Sequence, residues 1–214
     1  MRRGSSEVPA ALRRALSTRD KILDTAAQVF LTHGYEQSSM DEIAAEAGVA
    51  RRTLYNHFDG KKTLFDATMA RMWADMPLDA IIDPTAEVRP AEEVLFTIGR
   101  TIARFWAPPE AVAFARLVIW ESARFPELSE SFQVYGREPA RRAVSDYVGR
   151  LSRDPVFCID DIDVATAQFI DVILGEVLMS RLVVAGRATL DDDRCDYVVR
   201  EAVALFVSRY RRHD

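Results

Sequence analysis

The sequence predicts an all-α fold with a small head and a larger body. Apolar residues recur three or four positions apart along almost the whole chain, as in helices that bury one side. Gly34, Gly48, Asp59-Gly60 and Pro108-Pro109 punctuate these stretches, and no alternating runs are joined by a hairpin turn. Over residues 18–33, Ile22, Ala26, Val29 and Phe30 form one helical face, which Gly34 closes in the manner of a left-handed C-terminal residue. Ser39-Met40-Asp41-Glu42 has the S-x-x-E form of a capping box, so a short helix starts there and turns its Met40, Ile43, Ala44 and Ala47 face inward. Gly48 ends it, and a second short helix over 50–58 buries Leu54 and Phe58. A longer helix begins at Lys61 with Leu64, Phe65, Thr68, Met69, Met72, Trp73 and Met76 in its stripe.

Pro77, Pro84 and Pro90 bracket a loop or frayed helix. The next helix, 90–107, rests on Val94, Leu95, Ile98, Ile102 and Phe105 and stops at Pro108-Pro109, because the residue before proline avoids the helical region. Residues 111–120 carry only Arg116 as a charge, which predicts a helix buried nearly all round. An amphipathic helix over 128–151 has a soft spot at Gly136 and Pro139. Two more helices follow, about 161–185 and 191–211, each preceded by acids that suit the positive end of a helix dipole. The apolar residues of the last, from Cys195 to Tyr210, cover about 200° at 100° per residue. One packed face needs about 100°, so the excess predicts a second partner surface.

Composition excludes several classes. With 214 residues, 49% hydrophobic and 29% charged, the chain can bury a real core and is neither disordered nor fibrous. No run reaches the ~18–20 uncharged apolar residues of a membrane span, and Met1–Glu7 has no apolar segment of a signal peptide. Cys158 and Cys195 are too few for a disulfide framework. A cytoplasmic location is expected, without membrane partners. Net charge is −5, yet residues 1–66 hold ten basic and nine acidic residues, against eighteen and twenty-four in the rest. A near-neutral head on an acidic body is what would be expected if only the head met a polyanion; ordinary scatter of surface charge gives the same counts.

Helix, glycine-containing turn, helix at 39–58 is the pattern of DNA-reading helix-turn-helix units. Small Ala44 lets the helices approach, Gly48 supplies a conformation side chains resist, and Val49 and Leu54 make the apolar lock. Arg51, Arg52, Thr53 and Asn56 are left on the outer face, where arginine suits bidentate pairing with guanine.

Thr18-Arg19-Asp20-Lys21-Ile22-Leu23-Asp24-Thr25-Ala26-Ala27, with Phe30, Gly34-Tyr35, Ser38-Ser39, Ile43-Ala44, Ala47-Gly48-Val49, Thr53-Leu54-Tyr55, His57-Phe58, Lys61 and Leu64, resembles the N-terminal domain of TetR-family transcriptional regulators. The resemblance covers residues 18–66 and implies a three-helix DNA-binding head (18–66), a ligand-binding and dimerisation body (67–214), and a flexible extension (1–17). It implies a repressor, homodimeric through its last two helices, released from a palindromic double-stranded DNA operator by a small, largely apolar effector. By position, Arg51, Arg52, Thr53 and Asn56 match base-facing residues; Tyr55, His57, Lys61 and Ser39 match phosphate contacts. The arginine pair is bulkier than is usual there, and either side chain can grip phosphate instead. Arg2, Arg3, Arg13 and Arg14 form either a basic arm for the minor groove or merely a frayed end.

The body resembles the family in architecture, and Phe114 to Leu128 resembles its AcrR/AefR-like branch. Met72, Trp73, Phe96, Trp106, Phe114, Trp120 and Phe132 are candidates to line an apolar ligand site, although each can equally be core. Glu121 either faces a cationic ligand or pairs with Arg124 three residues on. For the dimer, Ala167, Gly175, Leu178, Ala202 and Leu205 are candidates within 164–184 and 197–207; they can also belong to the subunit core. No catalytic motif is present and His33, His57 and His213 are scattered, so no enzyme, cofactor or metal is expected. The acids at 160–163 and 191–193 each precede a helix and read as caps. The alternative reading is a helical small-molecule-binding protein or transferase without sequence-specific DNA binding.

Overall fold

The computed structural model describes residues 10–74, 76, 89–184 and 190–212, with side chains from Thr18 onward. The side chains of the basic arm and the stretch from Pro77 to Pro84 lie outside these limits. The described residues form helices and one isolated bridge, Phe157 with Arg211, and no strand. No helix among them is long and apolar enough to cross a membrane. The chain divides into two compact units, residues 1–71 and 72–214.

The first unit is built from α1 (Ala10–Gln37), α2 (Met40–Glu46), α3 (Arg51–His57) and the first part of α4 (Lys61–Ala74). Gly34 interrupts α1 with φ 81°, a backbone angle that favours glycine. Ile22, Leu23, Ala26, Val29 and Phe30 are buried, as are Ile43, Leu54, Leu64 and Phe65. Phe30, Tyr35 and Phe65 form a ring cluster with centroids 5.3–5.7 Å apart, geometry that adds about 0.5–1.5 kcal/mol per pair beyond burial. The capping box at α2 is complete: Glu42 N–H donates to Ser39 Oγ and Ser39 N–H to Glu42 Oε2. At its other end Gly48 N–H donates to Ala45 O and Val49 N–H to Ala44 O, both at 3.0 Å, the paired bonds of a Schellman close. Gly48 has φ 61°, so the turn demands a residue at ease there.

The second unit contains α5 (Ala91–Trp106), α6 (Pro109–Glu121), α7 (Pro126–Phe132), α8 (Glu138–Leu151), α9 (Ile162–Leu174), α10 (Ser180–Val183) and α11 (Asp192–Tyr210). A π turn, Gln133–Arg137, joins α7 to α8, and a second, Gly175–Met179, joins α9 to α10. The soft spot expected at Gly136 is thus a widened turn rather than a break. At Gly99 a Cβ would stand 2.7 Å from Val199 Cγ1 and 3.0 Å from Ile173 Cδ1; the missing side chain lets α5 seat on α9 and α11. Arg100 to Asp196 and Arg104 to Asp192, at 2.8 and 2.6 Å, flank that packing. The acid runs cap their helices: Asp161 Oδ1 accepts from Val164 N–H and Asp191 Oδ1 from Arg194 N–H.

The expectation that 111–120 is buried all round needs correcting. Ala111, Val112, Phe114, Ala115 and Val118 are buried, whereas Ile119 is 60% and Trp120 82% exposed. A helix seated on one side keeps an outer face whatever its composition.

Candidate nucleic-acid interface and ligand cavity

In the first unit α3 buries Leu54 and turns Arg51, Arg52, Tyr55 and Asn56 to solvent. Positions 51, 52, 55 and 56 follow the i, i+1, i+4, i+5 spacing of one helical face. Arg52 and Asn56 hold no side-chain partner among the described residues. Arg51 is engaged: its Nε lies 2.9 Å from Asp41 Oδ1 and its guanidinium 5.5 Å from the Tyr55 ring centroid. Both members of that ion pair are exposed, so the pair is worth about 0–1 kcal/mol and is easily exchanged for another acceptor. Thr53 and His57 are half-buried at the sides of the face. Ser39 is exposed, and its hydroxyl oxygen already accepts within the capping box, which leaves its O–H to donate.

Lys61, expected at a phosphate, is engaged within the head. Its Nζ donates to the carbonyls of Tyr35, Glu36 and Ser38 at 2.7, 3.1 and 2.9 Å. An ammonium has three donors, and all three are committed to the end of α1. The charge also lies 4.6 Å from the Tyr35 ring centroid. Lys61 is therefore a clamp between the start of α4 and the chain leaving α1, placed where unsatisfied carbonyls collect.

In the second unit a partly open cavity of about 310 Å³ lies among α5, α6, α8 and α9 and the π turns. One wall is aromatic: Trp73, Trp106 and Phe132, with Trp73 meeting Trp106 and Phe132 edge-on at centroid distances of 5.6 and 5.5 Å. The other walls are aliphatic, from Ile102, Val118, Ile119, Val144, Ile170, Leu174, Leu178 and Leu182. Polar groups are few: Ser122, Ser129, Gln133, Arg137, Arg141 and Asp171. A mostly apolar lining with a few orienting polar groups is the composition of small-molecule sites.

Close packing holds the aromatic wall in place. Trp73 stacks on Phe105 at 4.6 Å, and its indole lies where a Cβ of Gly136 would be, 1.9 Å from Cε2. Its N–H is buried without an acceptor among the described residues. Trp106 is fixed through its carbonyl, which accepts from the buried Arg181 Nη1 at 2.8 Å. That guanidinium also reaches Val177 O, and Arg116 Nη2 donates to Arg181 O. Burial pushes the Arg181 pKa down, although arginine stays charged in proteins.

Of the candidate ligand residues, the cavity brings Trp73, Trp106 and Phe132 together. Met72 precedes Trp73 by one position and does not line it. Phe114 is core beside the lining residues Ala115 and Val118. Phe96 borders a separate shallow groove, with Arg200 5.6 Å from its ring. Trp120 is two positions, about 200°, round α6 from Val118 and faces solvent, and Glu121 also stands outside the lining. The sequence reading missed Arg137, Arg141 and Asp171. Asp171 was detectable as the single charge in the apolar run 164–174, and the arginines as cations on the same helical face as Val144.

Among the candidate dimer residues, Leu205 is 59% exposed and Gly175 is exposed with open space around a would-be Cβ. Ala167 is half-buried, Ala202 is buried, and Leu178 points into the cavity. Val164, Val172 and Tyr197 are exposed too; together with Leu205 they leave α9 and α11 an uncovered apolar face.

Residues 93–212 match the model of the AefR-like transcriptional repressor C-terminal domain, and residues 22–68 that of bacterial regulatory proteins, tetR family. Among curated proteins the chain is similar to the HTH-type transcriptional regulator SrpR of Pseudomonas putida, 29% identical over 139 residues, which are 61% of this chain and 63% of SrpR. The matched stretch thus spans less than two thirds of that relative. The chain is also similar to the HTH-type transcriptional repressor BepR of Brucella suis, 46% identical over 57 residues, 27% of each chain. Among solved structures it resembles the flavonoid-responsive regulator FrrA, with a TM-score of 0.74 at 27% identity, covering 92% of this chain and 99% of that one. A TetR-family regulator from Mesorhizobium loti has a TM-score of 0.79 at 21% identity over 93% and 99% of the two chains, a likeness of fold.

Proposed function

The chain belongs to the TetR family of bacterial regulatory proteins, and from that premise we propose that it is an operator-binding transcriptional repressor released by a small, largely apolar effector. The observation that carries this reading is the pairing, in one chain, of an exposed Arg51, Arg52, Tyr55, Asn56 face on a short helix with an aromatic-walled cavity of about 310 Å³. Phosphate contacts supply salt-dependent affinity and base contacts supply sequence preference. In this reading Arg51, Arg52, Thr53 and Asn56 read bases, whereas Ser39, Tyr55 and His57 hold the backbone. Lys61 keeps the head in shape.

The protein acts as a homodimer through the uncovered face of α9 and α11, with Val164, Val172, Tyr197 and Leu205 at its centre. Dimers of helix-turn-helix proteins set their recognition helices about one DNA turn apart, roughly 34–36 Å. The effector occupies the cavity against Trp73, Trp106 and Phe132; the flavonoid response in FrrA's name suits such an aromatic wall. Trp73 lies near the end of α4, the helix that starts at Lys61, so displacement of Trp73 is passed along α4. The alternative, a helical binding protein or transferase without DNA affinity, is favoured by no observation.

The test is selection of bound sequences from a random duplex pool. Enrichment of an inverted repeat with half-site centres about one helical turn apart is expected. A pool that stays random over successive rounds, with the protein folded and dimeric, contradicts the proposal.

A further inference from the structure

The cavity's polar groups carry information about ligand charge. Arg137 and Arg141 line it from the π turn and α8, and Asp171 lines it from α9. Arg137 Nη1 lies 3.3 Å from Gln133 Oε1, and Arg141 Nη2 donates to the Asp163 carbonyl at 3.1 Å. Neither guanidinium has a carboxylate partner among the described residues, and each has five N–H donors, so most of their hydrogen-bonding capacity remains open.

The π turn is what aligns these cations with the aromatic wall. Phe132 and Arg137 are five residues apart, which on a regular α-helix puts them about 140° out of line. The turn over Gln133–Arg137 closes i to i+5 instead, with Glu138 N–H bonded to Gln133 O, and both residues line one cavity. Arg141 follows four residues later on the same face. The second π turn, Gly175–Met179, contributes Leu178 and Met179 to the lining. π turns of this kind gather at functional sites.

We propose that the cavity selects a planar aromatic organic acid in its anionic form, the ring system against Trp73, Trp106 and Phe132 and the acid group on Arg137 and Arg141. The inference rests on reading the cavity as the effector site. Guanidinium groups bind carboxylates with charge-assisted, often bidentate bonds, and aromatic rings favour edge-on and offset-stacked partners. A volume of about 310 Å³ lies at the low end of ligand pockets, about 300–1,000 Å³, which suits two or three fused rings better than a long chain. Asp171 also lines the cavity; its carboxylate disfavours a second negative group and so limits the ligand to one acid.

The experiment is calorimetric titration of the full chain at neutral pH with three isosteres: 2-naphthoate, 2-naphthalenemethanol and 2-naphthylmethylammonium. Naphthoate is expected to bind at least tenfold tighter than the alcohol, and the ammonium most weakly. In Arg137→Gln/Arg141→Gln the preference should fall to within about twofold while the alcohol binds as before; Arg137→Lys/Arg141→Lys should retain part of it. Retained alcohol binding by these variants also reports an intact fold. Equal affinity for all three probes, or a preference for the ammonium, overturns the charge assignment and leaves the cavity as a site. No binding of any probe up to about 1 mM overturns the assignment together with the site. Arginine-dependent naphthoate binding that fails to release bound DNA upholds the ligand class and contradicts the effector reading on which it was built.

Discussion

Gly136→Ala sets two effects of opposite sign against each other. A methyl at this position would stand 1.9 Å from Trp73 Cε2, 2.0 Å from Nε1 and 2.4 Å from Cδ2. Carbon atoms settle about 3.5–4.0 Å apart, so the indole must withdraw by roughly 1.5 Å. Phe105 stacks on the ring at 4.6 Å while Trp106 and Phe132 meet its edges, and the whole cluster must repack. Overpacking of this kind costs about 1–3 kcal/mol, and contacts this short put the value at the upper end. Alanine is the better helix former by about 0.8–1.0 kcal/mol. The expected balance is a loss of about 2 kcal/mol, read from urea unfolding followed by tryptophan fluorescence. Gly149→Ala is the control: its Cβ meets only Ile162 Cδ1, at 3.7 Å, so it should stabilise by about 0.5–1 kcal/mol. A Gly136→Ala protein as stable as the wild type, or more so, refutes the reasoning.

Lys61→Met keeps the apolar stem and removes all three donors to Tyr35, Glu36 and Ser38. At about 1.5–3 kcal/mol for hydrogen bonds to a charged group, it should destabilise the head by about 2 kcal/mol, seen as faster amide exchange in α1 and α4; unchanged exchange removes the clamp. Asp41→Asn frees Arg51 from its 2.9 Å ion pair and removes a negative charge near the proposed DNA face, so DNA affinity should rise severalfold at low salt, and a drop in affinity contradicts the placement of Arg51. Tyr147 has its pKa pushed up to about 12, chiefly by burial. Since the folded state holds this proton more tightly, its contribution is intact below pH 10 and is lost as pH climbs towards 12, worth about 2–3 kcal/mol. Tyr147→Phe should remove that part of the alkaline loss; identical alkaline melting curves refute it.

What could be read from the sequence was what neighbouring residues decide among themselves. The head is legible because the Ser39–Glu42 box, the positive φ at Gly48 and the buried Leu54 are all set within about twenty residues. The Lys61 clamp was illegible because its partners lie 23 to 26 positions back, and a lysine at a helix start looks the same whether it faces solvent or carbonyls. Trp120 was misplaced for a related reason: a helix apolar on every side gives no periodic signal for which side turns inward. Gly136 marked a weak point, yet only the packing of Trp73 against it reveals a π turn, and that turn decides that Arg137 shares a cavity with Phe132. At Gly175 the same widening left no trace in the sequence.

The account stands most directly on binding of DNA by this chain. Fluorescence anisotropy of the purified protein on the promoter duplex flanking its own gene, beside a scrambled duplex of equal length, at two salt concentrations, measures affinity and preference together. The account predicts tight binding to the promoter with a preference well above tenfold that persists at the higher salt. Equal, steeply salt-dependent binding to both duplexes, or no binding to either, contradicts it.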